Sequence, residues 1–244
     1  MKSLLTFDIG NSRPHVGHFE QGQLVDVYSL GHFEENFHKS LGGLDFTTSI
    51  VGKKAEILAS LTGREINLRS HWNGPQFFGM PIKYAQTLGD DRLFESACAW
   101  QEIKAQNIES ALVIDIGTFI TFDWIHIDRG HLGGIIAPGT ATYLNNFARG
   151  EQLQIFKPDE INWSGDLGLP LDTKSAILTG AKWYLEGLLE KALEVPEGKR
   201  KIILTGGGAA VAQTILERLQ VGKIELRPHF IHEAMFKLAS LTQN

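Results

Sequence analysis

The chain has 244 residues, 43% of them hydrophobic and 21% charged, with a formal net charge of −5. That balance can bury a core and excludes a disordered chain, while the acidic charge argues against a general nucleic-acid binder, which needs a basic face. The single cysteine, Cys98, excludes an intramolecular disulfide framework and a thiolate zinc site, and no apolar run reaches the roughly 18–20 residues that span a bilayer.

The opening Met1-Lys2-Ser3 leads into a strand pattern rather than a signal-peptide core, so a cytoplasmic protein is expected. The first strand is an apolar run that ends in Asp8-Ile9-Gly10-Asn11-Ser12. Val16 to Phe19 and Leu24 to Tyr28 read as strands joined by the turn Gln21-Gly22. A helix over Glu34 to Leu41, a strand over Phe46 to Val51 and a short helix over Ala55 to Leu61 follow, which makes a mixed sheet with helical cover. His71 to Gln86 carries aromatic residues punctuated by Pro and Gly, so an ordered loop is expected there. Apolar residues at helical spacing after Gly89-Asp90-Asp91-Arg92 predict a helix, with Cys98 as a small buried hydrophobe on its apolar face. His15 and His18 fall on opposite faces of one strand by alternation, which does not suit a metal pair.

A second half begins near Ser110 and repeats the opening of the first. Ala111 to Ile116 ends in Asp115-Ile116-Gly117-Thr118, Phe119 to Ile127 is a second strand, and the turn Asp128-Arg129-Gly130 leads into His131 to Ile136. Pro138 is expected to open a helix towards Ala148, and Gly150 to Leu171 to be a surface loop. Asp172 and Thr173 cap a long helix to Leu193. Lys201 to Leu204 is a strand ending in Thr205-Gly206-Gly207-Gly208, followed by an Ala-rich helix to Leu219, then a last strand and helix.

The paired Asp-Ile-Gly turns carry the chemistry. A glycine after the aspartate lets the backbone approach a ligand, the next residues offer donors to phosphate oxygens, and the aspartate holds a cation. Phosphoryl transfer needs cations and donors around the phosphates far more than covalent chemistry. Asp90 and Asp91 suit a helix N-terminus on dipole grounds alone. They equally suit a carboxylate that takes a hydroxyl proton beside an arginine that grips an acidic substrate in a bidentate pair. The Gly206-Gly207 turn permits close approach of a nucleotide.

Together these motifs resemble the type III pantothenate kinases of the acetate and sugar kinase, heat-shock chaperone and actin superfamily. The resemblance rests on Asp8 to Ser12 with Gly17, on Gly89 to Arg92, and on Asp115 to Thr118 with Thr121. Gly133 to Gly139, Thr173 with Ala176-Ile177, and Thr205 to Gly207 complete it in the same order.

It implies an actin-like, ribonuclease H-type α/β fold of two similar lobes, residues 1–109 and 110–244, with mixed sheets and a cleft between them. It implies ATP-dependent phosphorylation of pantothenate, the first step of coenzyme A biosynthesis, by a homodimer using ATP with Mg²⁺ and a monovalent cation, K⁺ or NH₄⁺. Asp91 is then the general base and Arg92 the substrate anchor, with Gly89, Asp90 and Tyr84 beside them and Thr173 reaching pantothenate across the dimer interface. Asp8, Ile9, Gly10, Asn11, Ser12, Arg13, Pro14 and His15 form the first phosphate loop, with Asp8 on the divalent cation. Thr118, Gly206 and Gly207 contact ATP, and Asp115 holds the monovalent cation. Neither nucleic acid nor membrane is an expected partner. Ser12 in place of the family's Thr, the run Arg13-Pro14-His15, and Phe119-Ile120 in place of small residues depart from the usual pattern, and Pro14 removes one backbone donor. The rival readings are a kinase for another small hydroxy acid on the same fold, and a catalytically weak or silent nucleotide-binding regulator.

Overall fold

The computed structural model describes residues 3–10, 13–50, 56–150, 154–165, 168–195, 198–221 and 223–242. The chain divides into two compact units. The first comprises Met1–Asn107, Ile125–Gly133 and His229–Asn244, and the second Ile108–Trp124 and Gly134–Pro228.

The first unit opens with β1 (Ser3–Ile9), β2 (His15–Glu20) and β3 (Gln23–Ser29). β2 and β3 are joined by Gln21 at φ 50° and Gly22 at φ 85°, the two positive φ values that a tight hairpin turn matched to strand twist requires. Next come α1 (Leu30–Asn36), α2 (His38–Leu41), β4 (Phe46–Ile50) and α3 (Ile57–Ser60). The helix expected from Glu34 thus begins earlier, capped by the Ser29 hydroxyl accepting from the His32 N–H, and breaks at Phe37, whose φ of −121° leaves the helical region. Val51 and Ala55, expected to end the strand and open the helix, lie outside the described residues.

The sheet order is β3-β2-β1-β4. β1 runs antiparallel to β2 and parallel to β4, so the alternation of β1 sends Leu5, Phe7 and Ile9 to one face. There they pack with Val16, Phe33, Phe46 and Leu58. Phe7 meets Phe33 and Phe46 edge-on at centroid distances of 5.6 and 5.9 Å.

The segment expected as a loop contains β5 (Trp72–Asn73), β6 (Gln76–Phe77) and β7 (Met80–Pro81), a small antiparallel sheet. Its strands are two residues each, too short to leave an alternation pattern in the sequence. The sheet docks on α4 (Asp90–Gln106) through Phe77 stacked on Phe94, and the Gln101 amide donates to the Phe78 carbonyl at 3.1 Å. α4 is buried around its circumference from Arg92 to Trp100 rather than along one stripe. The Trp100 indole N–H donates to the Ile127 carbonyl at 2.9 Å, so the body of α4 is held from several sides. Cys98 is buried, as its small apolar reading implied.

The second unit is built on β8 (Ser110–Ile116), the greater part of β9 (Phe119–His126) and of β10 (Gly130–Pro138), then α5 (Thr140–Asn145), α6 (Thr173–Leu193), β11 (Arg200–Thr205), α7 (Ala209–Arg218) and β12 (Ile224–Leu226). Its sheet order, β10-β9-β8-β11-β12, repeats that of the first sheet with one strand added. In both sheets the central strand pairs in parallel with the fourth, β1 with β4 and β8 with β11. Residues of β8, β9 and β11 form its core with Leu185 and Leu189 of α6 and Ala212, Ile215 and Leu216 of α7.

Pro138 does not open a helix. It ends β10, and Gly139 is the N-cap of α5, so the proline's fixed φ serves an extended chain end instead. The stretch from Gly150 is not wholly a surface loop either: Phe156 and Ile161 are buried against Leu144, Ile177, Leu178 and Ala181. α8 (Phe230–Leu241) belongs to the first unit, where it packs on β1, β4 and α4, and Phe236 stacks on Phe19 at 4.3 Å. No helix among the described residues is long and apolar enough to cross a membrane.

Candidate active site

The first aspartate turn begins at Asp8, near the end of β1 and paired in register with His15 of β2. Asp8 is half-buried, and His15 Nδ1 stands 3.9 Å from its Oδ2. Ile9 points into the core, whereas a side chain at Gly10 would meet open space. Asn11 and Ser12 lie outside the described residues. Arg13 is exposed, and the Pro14 carbonyl accepts from the Leu30 N–H at 2.9 Å, which ties the return of the turn to the start of α1.

Beneath this turn, His232 of α8 is buried against β1 and β2. Thr6 Oγ1 and His232 Nδ1 are 2.8 Å apart. Gly17 is required here: a Cβ would stand 2.5 Å from Thr6 Oγ1 and 2.8 Å from the His232 ring. Burial pushes the His232 pKa down to about 4 against the opposing pull of the Asp8 charge, so the ring is neutral at pH 7.

The second turn surrounds Asp115 with backbone. Asp115 pairs with Thr205 across the parallel β8–β11 ladder, which brings the Gly206 turn alongside its carboxylate. Gly206 has φ 82°, and a Cβ there would lie 2.1 Å from Asp115 Oδ1, so this position demands glycine on two counts. The Gly208 N–H donates to the Ile116 carbonyl at 2.8 Å. The Thr118 carbonyl accepts from the Gly139 N–H at 2.9 Å and from the Thr142 hydroxyl at 2.7 Å. Gly207 faces open space. The structure therefore gathers Asp115, Thr118, Gly206 and Gly207 at one end of one sheet. Asp8 and Asp115 each carry carboxylate oxygens, the donor type that suits a hard cation.

The third group is the head of α4. Gly89 is the N-cap and carries no capping side chain, and Asp91 Oδ1 accepts from the Arg92 N–H at 2.8 Å. A Cβ on Gly89 would stand 2.5 Å from that oxygen, so this glycine makes room for the carboxylate rather than for a turn. Arg92 is buried, with its guanidinium carbon 5.5 Å from the centroid of the Tyr84 ring. Tyr84 also meets His131 edge-on at 5.7 Å. The sequence-predicted residues Tyr84, Gly89, Asp91 and Arg92 thus form one group. Thr173 is exposed in the first turn of α6, behind Asp172, whose carboxylate accepts from the Ser175 N–H.

Asp90, the remaining residue predicted beside the substrate, is paired with Arg69, whose guanidinium donates to its Oδ1. Sequence reasoning passed over both Arg69 and His232. Each meets its partners only through tertiary packing, and neither sits in a local pattern that distinguishes it from an ordinary surface arginine or core histidine.

Two sheets of one repeated strand order, each with a central strand ending in Asp-Ile-Gly, define an α/β protein of the actin-like ATPase fold. The model of the type III pantothenate kinase family matches residues 4–195, and the chain belongs to that family. It is 25% identical over 241 residues to a type III pantothenate kinase of Desulfatibacillum aliphaticivorans, covering 89% of this chain and 91% of the relative. It is 30% identical over 220 residues to that of Flavobacterium johnsoniae, covering 84% and 86%. Among solved structures, a protein described as a Baf family transcriptional activator from Campylobacter jejuni superposes with a TM-score of 0.60 at 21% identity, over 98% of this chain and 99% of that one. That likeness concerns the fold alone.

Proposed function

We propose that this protein catalyses the ATP-dependent phosphorylation of pantothenate to 4'-phosphopantothenate, the first step of coenzyme A biosynthesis. The observation that carries this reading is family membership across residues 4–195, joined to an acid–arginine pair at the head of a buried helix. Pantothenate offers a carboxylate for an arginine and a primary hydroxyl for an acid.

Arg92 binds the substrate carboxylate, and the Tyr84 ring over its guanidinium holds the plane of the fork. Asp91 takes the proton as the hydroxyl oxygen attacks the γ-phosphorus; the bond from that phosphorus to the bridging oxygen breaks, and ADP leaves. Gly89 keeps the Asp91 carboxylate in place. The residues from Asp8 to His15, with Thr118, Gly206 and Gly207, bind the nucleotide. Asp8 would hold the divalent cation that comes with ATP, and Asp115 a monovalent cation, K⁺ or NH₄⁺; bound there, they would supply positive charge against that developing on the phosphoryl group. The two compact units, with α8 in the first, act as the two lobes. The protein works as a cytoplasmic homodimer in which Thr173 completes the acceptor site of the other subunit.

The test is ADP release with a panel of hydroxylated acids and sugars, with and without K⁺, alongside light scattering for subunit number. Pantothenate-dependent turnover that rises with K⁺ is expected. Turnover with another acceptor and none with pantothenate overturns the substrate, and ATP binding with no turnover on any acceptor overturns the enzyme.

A further inference from the structure

One side chain outside the site just described touches the segment that delivers it at three points. The Arg69 guanidinium donates to the Leu88 carbonyl at 2.8 Å, to the Gln86 carbonyl at 2.5 Å and to the Asp90 carboxylate. These acceptors lie within residues 86–90, the approach to α4 and its first residue, immediately before Asp91 and Arg92.

We propose that Arg69 is a positioning residue for phosphoryl transfer, whose guanidinium fixes the 86–90 segment and thereby sets where Asp91 and Arg92 stand. This inference rests on the roles given to those two residues above.

Three physical features support it. First, α4 starts on a glycine, so its N-cap position lacks the side-chain hydroxyl or carboxylate that ordinarily fixes a helix start. Arg69 supplies the hold from outside the helix. Second, Arg69 is itself constrained. It sits in a short 3-10 turn, Leu68–His71, anchored by buried Leu68 and by the Asn67 side chain accepting from the Ser70 N–H. Its guanidinium carbon lies 5.2 Å from the centroid of the Trp72 ring.

Third, the geometry requires a planar fork. Two backbone carbonyls and a carboxylate are met by separate N–H vectors of one rigid group, which a lysine ammonium cannot reproduce. With the Arg69 and Asp90 side chains 34% and 18% exposed, Coulomb attraction between them is partly screened by water. The contribution of Arg69 is then chiefly to geometry, and Asp90 acts as the handle by which it grips the helix.

The test compares the full chain with Arg69→Met, Arg69→Lys and Arg69→Ala. Displacing a reacting group by an ångström costs on the order of 10²-fold in rate. Loss of that size in kcat/KM for pantothenate is expected in Arg69→Met and Arg69→Lys alike, with KM for ATP within about two-fold of wild type. Added methylguanidinium is expected to restore part of the pantothenate rate in Arg69→Ala only.

Amide hydrogen exchange across residues 86–94 supplies a readout independent of activity, with faster exchange expected there in the variants and none gained in α6. Wild-type kinetics in Arg69→Met, full activity in Arg69→Lys, equal losses for both substrates without rescue, or unchanged exchange over 86–94 would each overturn the proposal. A wild-type protein inactive on pantothenate refutes the functional reading instead, and the exchange measurement then still judges the clamp.

Discussion

Replacing Gly89 by alanine perturbs the proposed base without touching it. The Gly89 backbone, at φ −60° and ψ 152°, suits alanine, so the substitution introduces no backbone strain. The added methyl, however, would stand 2.5 Å from Asp91 Oδ1, about 1 Å inside ordinary contact. The helix that carries Asp91 is buried from Arg92 onwards and cannot retreat, so the carboxylate itself must swing away. A displacement of that size costs on the order of 10²-fold in turnover. The fold loses only a glycine N-cap, so the melting temperature should fall by no more than about 2–4 °C, the shift for 1 kcal/mol in a domain of this size. The assay is pantothenate-dependent ADP release, with circular dichroism melting as the fold control. A Gly89→Ala protein with kcat within three-fold of wild type would refute the placement of the base.

Asp91→Asn should lower kcat by roughly 10²–10⁴-fold, the usual range for a general base, while calorimetry still detects ATP binding. Near-normal turnover removes Asp91 from that role. Gly206→Ala places a non-glycine residue at φ 82° with its Cβ 2.1 Å from Asp115 Oδ1. It should destabilise the protein by about 1–3 kcal/mol and raise the K⁺ concentration needed for half-maximal activation; an unchanged K⁺ response separates Asp115 from the cation. His232 makes a pH prediction: its pKa is about 4 in the folded protein, below the free value of 6.5. The unfolded chain therefore binds the proton first, and stability present above pH 6.5 drains away as pH falls towards 4. The loss between pH 7 and pH 5 is about 2 kcal/mol from this group alone. Urea unfolding of wild type and His232→Gln at both pH values measures it, and parallel pH dependence in the two proteins contradicts the burial argument.

The repeat was legible because it is local. An apolar run of strand length followed by Asp-Ile-Gly marks both central strands, and the two sheets then share a strand order that follows from repeating the same element sequence. The head of α4 was legible for the same reason, since acids at a helix start and apolar spacing behind them are both sequence patterns. The small sheet over Trp72–Pro81 was not, because two-residue strands carry no period. Pro138 misled because proline suits both a helix start and an extended chain end, and only Gly139 as N-cap separates the two. Phe156 and Ile161 were missed because their burial depends on α5 and α6, elements close in space with no periodic relation to them. Gly89 and Gly206 were visible as glycines. Their function as space for a carboxylate emerges only when Asp91 and Asp115 are placed beside them.

The most direct test of the central claim follows the phosphoryl group itself. ATP carrying an isotopic label in its γ-phosphoryl group is incubated with the protein, pantothenate, Mg²⁺ and K⁺, and the products are separated and weighed by mass spectrometry. Label on pantothenate in one-to-one ratio with ADP, abolished in Asp91→Asn, is the predicted result. Label found only in inorganic phosphate, or label on pantothenate that survives loss of the Asp91 carboxylate at an undiminished rate, would contradict it.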